Sequence, residues 1–419
     1  MSTALLRRNR NYRLLFSATA VSNLGDGISA LAFPWLASLV TRDPVLISMT
    51  AVATRLPWFL FTLPAGVWTD RADRQSLMVR ADLFRCLLTF GIVALILSGP
   101  SLPLGEDHAA LPIILALSAL AFLLGTAEVL RDNAAQTMLP SVVEKSDLEH
   151  ANGQMWSVEQ IMGSFVGPPL AGILIALAIP LPFTVDAVTF ALAALAVWMI
   201  VLPKRAKPLA GASLWADFTE GTRWLWQHRL ILRLAIVLGI INAANVAVLT
   251  MLVLFSQEIL GLSAFGYGVL LTAGAAGGVI GGVIAPGITR RIGGTASLLV
   301  AMCLFALNYL FIAVTSSGLM AGLGLFVGML GALLWNVRTV SFRQRVIPDE
   351  ILGRVNSIYR FFGWGMMPVG AFGGGLLVAW LEPSWGREAA LRAPYWVAFW
   401  VSLALAAVIP FALRMPKDD

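Results

Sequence analysis

The chain has 419 residues, of which 58% are hydrophobic and only 12% are charged, and its mean hydropathy is +0.81. A water-soluble protein of this length needs charged side chains over most of its surface, so the composition excludes a cytosolic enzyme and indicates lipid as the solvent. The net charge of +6 could suggest nucleic acid, but the basic residues lie in short loops between apolar runs, where they act as topology signals. We therefore expect a lipid bilayer around the chain and no nucleic-acid partner.

Twelve apolar runs are long enough, at roughly 20 residues each, to cross a bilayer as α-helices. They predict an all-α membrane protein with twelve transmembrane helices in two six-helix halves. The runs extend from Leu14 to Leu39, Leu46 to Trp68, Leu77 to Leu97, Leu111 to Leu130, Val158 to Ala178, Phe183 to Leu202, Leu230 to Leu254, Gly266 to Ile288, Leu298 to Val314, Leu319 to Val337, Phe361 to Leu381 and Tyr395 to Leu413.

The longest polar connection divides the chain into a bundle over residues 1–202, a cytoplasmic linker over 203–229 and a second bundle over 230–419. The linker contains an amphipathic pattern that predicts a short helix on the inner leaflet, with Trp215, Trp224 and Trp226 at headgroup level. A plain connecting helix is the alternative to a regulatory role.

Lysine and arginine are distributed very unevenly between alternate loops. Twenty-five of the 29 fall on the side of the N-terminus, against Arg42, Arg387 and Arg392 on the other side and Arg55 within a span. By the positive-inside rule, both termini are expected in the cytoplasm.

The two halves also share short patterns at corresponding places. Leu139-Pro140 followed by Ala151-Asn152 parallels Ile347-Pro348 followed by Val355-Asn356. Such matches favour a duplication with parallel repeats.

The loop between the second and third spans, GVWTDRADRQ, resembles the signature loop of the major facilitator superfamily. The resemblance implies that Gly66 allows close helix contact, and that Asp70, Arg71 and Arg74 form a charge cluster that locks one conformation. Asp132, at the inner end of the fourth span, is the expected partner of these arginines. Plain topology signalling is the alternative for the basic residues.

The fifth span resembles the glycine-proline motif of antiporters in the same superfamily. Gly163, Gly167, Pro168 and Gly172 carry this resemblance, which implies export. Small residues at this spacing let another helix approach, and the proline is expected to kink the span. Ordinary helix packing is the alternative.

Ser22 to Gly27 and the stretch from Glu128 to Asn152 look like the drug-exporter branch that contains macrolide exporters and the enterobactin exporter. This implies a monomeric, proton-coupled exporter of small amphiphilic molecules in a bacterial inner membrane, working by alternating access. An importer or a lysophospholipid flippase of the same fold stays open. A membrane-embedded enzyme lacks a plausible catalytic set, and neither a cofactor nor a metal is expected.

An ionised side chain within a span costs at least about 2.5 to 3.5 kcal/mol on insertion scales, so each is a functional candidate. Asp26, near the middle of the first span, is the leading candidate for proton coupling, with Glu128 and Glu159 behind it. The alternative for Asp26 is a structural ion pair with Arg55.

Amides and aromatic rings in an apolar cavity suit amphiphilic molecules, cationic ones included. The candidates for a substrate cavity are Asn23, Asp26, Arg55, Asn242, Asn245, Trp335, Asn336 and Trp364.

Overall fold

A computed structural model describes residues 3–105, 109–201 and 214–415. Within these residues every regular element is a helix and no strand occurs. The chain is an all-α membrane protein with the predicted twelve-helix fold. Eleven helices are long and apolar enough to span a bilayer, and Arg10–Val40 adds the first crossing, although Asn23 and Asp26 lower its mean hydropathy.

The helices of the N-terminal half are α1 (Thr3–Arg8), α2 (Arg10–Val40), α3 (Pro44–Arg71), α4 (Arg74–Ser98), α5 (Ala110–Val142), α6 (Leu148–Gln160), α7 (Gly167–Leu177) and α8 (Leu181–Trp198). Those that follow are α9 (Leu214–Gln227), α10 (Arg229–Glu258), α11 (Ala264–Ile292), α12 (Gly294–Val314), α13 (Gly318–Val346), α14 (Asp349–Trp385) and α15 (Arg387–Ala412).

Several helices run well beyond the apolar stretches that predicted them. Helix α5 continues from the predicted end at Leu130 to Val142, and α14 begins at Asp349, twelve residues before the predicted start at Phe361. These extensions are partly polar, and α5 buries Met138 and Leu139 in them. Packing against neighbouring helices therefore prolongs each helix past its lipid-facing run.

A π-helical turn, Ile161–Val166, interrupts the fifth crossing between α6 and α7. Pro168 has no backbone N–H, and its ring excludes the carbonyl four residues earlier, so the regular α-helical bonding cannot continue through this point. The N–H of Gly167 instead donates to the carbonyl of Met162, five residues back. The local distortion expected at Pro168 is thus a π-turn.

The chain divides into two compact units. The first comprises Met1–Arg42, Met49–Ala210 and Ser263–Val269, and the second comprises Asp43–Ser48, Gly211–Leu262 and Leu270–Asp419.

Both units pair their helices in the same way. In the first unit, the first crossing α2 packs against the fifth (α6, α7) and the sixth (α8), while α4 packs against α5 and α8. In the second unit, α10 packs against α14 and α15, while α12 packs against α13 and α15. The repeated pattern is the one that a parallel duplication predicts.

Large apolar side chains cover the outside of the helices. Leu319 and Phe411 are 87% and 85% exposed in the protein alone. Exposure of this extent in water would favour aggregation, whereas lipid tails solvate such side chains.

The linker helix α9 is present and packs against α14. Leu225 is fully buried, Glu220 pairs with Arg354 at 2.6 Å, and a Cβ at Gly221 would lie 2.7 Å from Ile358. Trp226 is 62% exposed, which suits the expected position at the headgroups. The side chain of Trp215 lies outside the described part of the structure.

A charged cluster in the first helical unit

Five carboxylates and two guanidinium groups lie close together among α2, α4, α5 and α8, and we call them the charged cluster. Its members are Asp26 on α2, Asp82 and Arg85 on α4, Glu128, Arg131 and Asp132 on α5, and Asp186 on α8. The apolar faces of these helices bring their few polar residues together, because buried charges must find partners within the protein.

Asp26 forms an ion pair with Arg85, through one oxygen of the carboxylate and one terminal nitrogen of the guanidinium group. Arg85 is only 2% exposed, donates to the hydroxyl of Ser22 at 3.3 Å and lies 3.9 Å from the ring centroid of Phe190. The alternative pairing of Asp26 with Arg55 is therefore wrong in this structure, where Arg55 is exposed. Arg85 is closer because α2 and α4 both pack against α8.

Asp82 lies between two arginines. One of its oxygens is 3.6 Å from Arg131 Nε and 3.9 Å from a terminal nitrogen of Arg85. The residue is fully buried, and neither carboxylate oxygen accepts a hydrogen bond. Attraction to the two guanidinium groups is therefore the compensation that the described residues offer for its burial.

Asp186 is 1% exposed and accepts a hydrogen bond from the hydroxyl of Ser29 on α2. The space that a side chain at Gly25 would occupy is filled by Asp186 and Thr189, with Asp186 Cγ 3.3 Å from the Cβ position. Gly25 thus allows the carboxylate of α8 to reach α2.

The remaining acids lie on α5 and α6. The carboxylate of Glu128 interacts electrostatically with Arg85, Asp26 and Asp132. It also interacts with Arg55. Asp132 contacts Arg131 of its own helix at 3.5 Å.

The carboxylate of Glu159, on α6, interacts electrostatically with Asp132 and Arg131. All three candidates for proton coupling, Asp26, Glu128 and Glu159, are therefore electrostatic neighbours of cluster residues. They remain candidates.

The fifth crossing meets α2 through glycines. A Cβ at Gly167 would lie 2.6 Å from the backbone of Gly27, and a Cβ at Gly27 would lie 2.9 Å from the Cα of Gly163. A Cβ at Gly172 would lie 2.7 Å from the backbone nitrogen of Phe265, which belongs to the same unit. The backbones therefore touch where the glycine-proline resemblance lies.

The structure describes only some side chains of the proposed conformational lock. Gly66 lies within α3, and the side chains of Asp70 and Arg71 lie outside the described part of the structure. Arg74 donates to the carbonyl of Thr137 on α5 at 2.6 Å. Asp132, the expected partner, contacts Arg131 at 3.5 Å, and its pairing with the loop arginines stays a prediction.

The substrate-cavity candidates differ in exposure. In the first unit, the Asn23 amide donates to the carbonyl of Thr19 at 2.9 Å. In the second, the Asn242 amide donates to the carbonyl of Gly363 at 2.9 Å, and Trp335 is 2% exposed. The other seven candidates are partly or fully exposed: Asn23, Asp26, Arg55, Asn242, Asn245, Asn336 and Trp364.

The family model for transmembrane secretion effectors matches residues 2–417. The chain belongs to this family of the major facilitator superfamily. Its charged cluster is therefore part of a transporter fold, and the described residues contain no group of three or more His, Cys, Asp or Glu side chains that could hold a metal ion.

Named relatives of this family member are efflux proteins. The multidrug efflux pump Tap of Mycobacterium tuberculosis is 28% identical over 237 residues, which are 54% of this chain and 53% of the pump. The chain thus aligns with about half the length of that relative. Macrolide efflux protein A of Streptococcus pyogenes is 23% identical over 383 residues, which are 87% of this chain and 89% of that protein.

Solved structures share the fold at low sequence identity. The nucleoside transporter NupG has a TM-score of 0.73 at 12% identity, covering 96% of this chain and 100% of that one. A bacterial homologue of the iron transporter ferroportin in an inward-facing state has a TM-score of 0.68 at 19% identity, with coverage of 96% and 100%.

Sequence reasoning missed the basic half of the cluster. Arg85 and Arg131 were expected at the cytoplasmic surface as topology signals, but each is 2% exposed. A carboxylate three residues before Arg85, at Asp82, was the available signal that this part of α4 is buried and paired.

Proposed function

We propose that this chain exports small amphiphilic molecules in exchange for protons, by alternating access, as a monomer in a bacterial inner membrane with both termini in the cytoplasm. The observation that carries the proposal is the excess of carboxylates in the charged cluster, where five acids surround two arginines. Fully ionised, the cluster would hold three more negative than positive charges, with Asp82 and Asp186 buried, and such an excess is costly. Protons, or a cationic substrate, would remove that cost.

The Asp26 to Arg85 ion pair supplies the coupling step. When Asp26 is ionised, it holds Arg85; when it is protonated, Arg85 loses this partner. Asp82, Glu128 and Asp186 are the other acids near Arg85. A proton on Asp26 therefore changes which helices Arg85 holds together, and this links protonation to a helix rearrangement.

Export is supported by two independent features. The glycines of the fifth crossing resemble the antiporter motif and bring its backbone against α2. Two relatives carry the names of a multidrug and a macrolide efflux protein. Apolar cavities with amides and aromatic rings, as the substrate candidates would provide, suit molecules of these kinds.

The signature loop would help to determine which conformation of the transporter is favoured. In this proposal Asp70 and Arg71 form a charge cluster at the inner surface with Arg74, which is already fixed to the carbonyl of Thr137. Asp132 and Gly66 complete the arrangement in the conformation that the lock favours. Transport needs no enzymatic step, and we assign none.

The test is transport by the purified protein in liposomes whose lumen is acidic, with radiolabelled erythromycin and ethidium as probes. We expect accumulation that a protonophore abolishes, and loss of accumulation in Asp26→Asn. Asp43→Asn is the matched control, because Asp43 caps the start of α3 by accepting from Val45 N at 2.7 Å and is not a member of the cluster. Accumulation that ignores the pH gradient would reject proton coupling.

A further inference from the structure

A recess opens on the outside of the first unit, where the start of α4 lies beside the end of α8. These two helices pack against each other. The recess has a volume of about 540 Å³ and is lined by Gln75, Ser76, Val79, Arg80, Trp198, Ile200 and Val201. No member of the charged cluster is among these residues, so the recess is separate from the coupling site.

Side-chain amides hold the wall of the recess that the end of α8 provides. The Gln75 amide donates at 2.9, 3.1 and 2.7 Å to three carbonyls, those of Val197, Trp198 and Ile200. From α2, Asn11 donates to the carbonyl of Val201 at 2.8 Å and accepts from its N–H at 3.2 Å. The last carbonyls of a helix lack partners within the helix and carry partial negative charge. Because amides occupy them here, the wall is fixed and repels an anion less.

Arg80 supplies the charge of the recess. It is exposed, and none of the described residues accepts a hydrogen bond from it or forms an ion pair with it. Asp73 caps α4 by accepting from Ser76 N at 2.9 Å, but it is not part of the lining. A guanidinium group with free donors, next to a serine hydroxyl and without a carboxylate in the lining, suits a phosphate group.

The depth of Arg80 matches that of lipid phosphates. Helix α4 has 25 residues and is therefore about 38 Å long, whereas the hydrocarbon core is about 30 Å thick. Arg80 lies about 9 Å from the start of α4, and side chains on a helix point towards its N-terminus, here towards Ser76 and the membrane surface. Trp198, the last residue of α8, is 68% exposed, and tryptophan is enriched at this depth. In the proposed orientation the recess faces the cytoplasmic leaflet.

Two exposed apolar strips run from the recess towards the membrane centre. On α4, Leu83 and Leu87 follow Arg80 at spacings of three and four residues, so they lie on the same face. On α8, Leu195 and Leu192 precede Trp198 at spacings of three. Such strips fit acyl chains below a headgroup held at Arg80.

We propose that this recess binds an anionic phospholipid of the cytoplasmic leaflet, with its phosphate on Arg80 and Ser76 and its acyl chains along the strips of α4 and α8. An anionic headgroup is favoured because a zwitterionic one places its own cation beside the phosphate, where it competes with Arg80. The lipid joins α4 to α8 at their cytoplasmic ends. The site does not depend on what the protein transports, and the predicted orientation enters only in naming the leaflet.

Binding is measured as the rise in the thermal unfolding midpoint of the purified full chain in detergent during titration with dioctanoyl phosphatidylglycerol. We expect a saturable rise for the wild type. In Arg80→Gln the apparent Kd should increase by at least about tenfold, because a charged hydrogen bond to the phosphate is lost. Arg290→Gln is the matched control: Arg290 is exposed in the last turn of α11, outside the recess, and its loss should leave the Kd within about twofold of the wild type.

Two further probes separate the lipid from its parts. Dioctanoyl phosphatidylcholine, with the same chains, should bind the wild type at least about tenfold more weakly, and inorganic phosphate should give no rise. Leu87→Gln should weaken the binding of both lipids, and it tests the site independently if Arg80→Gln does not fold. Equal affinities of the wild type and Arg80→Gln for phosphatidylglycerol would overturn the site. Equal binding of the two lipids, or a rise with phosphate alone, would overturn an anionic phospholipid as the occupant.

Discussion

At the scale of single residues, the charged cluster combines strong attraction with large desolvation. Asp82 is fully buried, accepts no hydrogen bond and has Arg131 at 3.6 Å on one side and Arg85 at 3.9 Å on the other. A buried ion pair adds little net stability, but removing one partner leaves a charge that neither water nor protein compensates. The arginines therefore matter for folding as well as for coupling.

Arg131→Met should lower the free energy of unfolding by about 3 to 5 kcal/mol, because Asp82 would keep Arg85 as its one nearby cation. Adding Asp82→Asn should restore much of the loss. Thermal and chemical unfolding in detergent would measure both. Arg8→Met is the control: Arg8 pairs with Asp147 but is 65% exposed, so its loss should cost less than about 1 kcal/mol. Equal losses for Arg131→Met and Arg8→Met would contradict the argument.

The sequence identifies some of these residues and not others, for a physical reason. Asp26 can be identified from the sequence because the positive-inside rule does not explain a carboxylate within an apolar run. Such a carboxylate is therefore interpreted as functional. Arg85 and Arg131 cannot be identified in this way, because the positive-inside rule already explains a basic residue towards the cytoplasmic end of a run. Which acid meets which arginine depends on the packing of α2, α4, α5 and α8, and no spacing in the chain encodes that.

At the scale of elements, the fifth crossing is shaped by Pro168 and by two glycines, Gly163 and Gly167. Pro168 produces the π-turn, and Gly163 and Gly167 place that turn against Gly27 of α2. A π-turn holds its backbone less regularly than an α-helix and is common at functional positions. The contact thus joins a deformable part of the fifth crossing to the helix that carries Asp26.

Gly167→Ala should reduce stability by about 1 to 3 kcal/mol, because its Cβ would lie 2.6 Å from the Gly27 backbone, which cannot rotate away. Gly153→Ala, on α6 eight residues before the π-turn, is the matched control, since nothing outside its own stretch of helix backbone lies within 4 Å of its Cβ position. Alanine is a better helix former than glycine, so this control should be neutral or slightly stabilising. The readout is the unfolding midpoint in detergent; similar midpoints for the two variants would show that the contact is not tight.

The linker illustrates how an element can be predicted while its contacts cannot. Its amphipathic pattern predicted α9, and the helix spans Leu214–Gln227. Leu225 is buried, Gly221 meets Ile358 of α14, and Glu220 pairs with Arg354. Periodicity shows that one face is apolar, but not whether lipid or protein covers it.

At the scale of the whole molecule, hydrophobic run length decides the fold, because a bilayer permits little besides helices of sufficient length. All twelve predicted runs correspond to helices. The two features that run length misses are helix extension into polar sequence, as in α5, and the π-turn before Pro168. Both depend on contacts or backbone bonding rather than on hydropathy.

The orientation of the chain in the membrane is predicted from the charge count, which assigns Arg387 and Arg392 to the outer side. Arg392 donates to the carbonyls of Ala313 and Thr315 at 2.7 and 2.8 Å, where α12 ends, and Arg387 pairs with Glu258 at 2.8 Å. These arginines therefore have local structural partners. The predicted orientation assigns them to the outer side, and their structural partners account for them there without weakening the charge asymmetry, which rests on the loops of the other side.

The topology follows as a prediction for cysteine labelling in a background where Cys86 and Cys303 are replaced by serine. Ser101, exposed between α4 and α5, should face the outside, and Ser76, exposed at the start of α4, should face the cytoplasm. We expect Ser101→Cys to react with a membrane-impermeant maleimide in intact cells, and Ser76→Cys to react only after permeabilisation. The two sites are on the same helix or directly after it, so one crossing separates them and each controls for the other. Labelling of Ser76→Cys in intact cells, with Ser101→Cys protected, would show that the orientation is the opposite of the one that the charge count predicts.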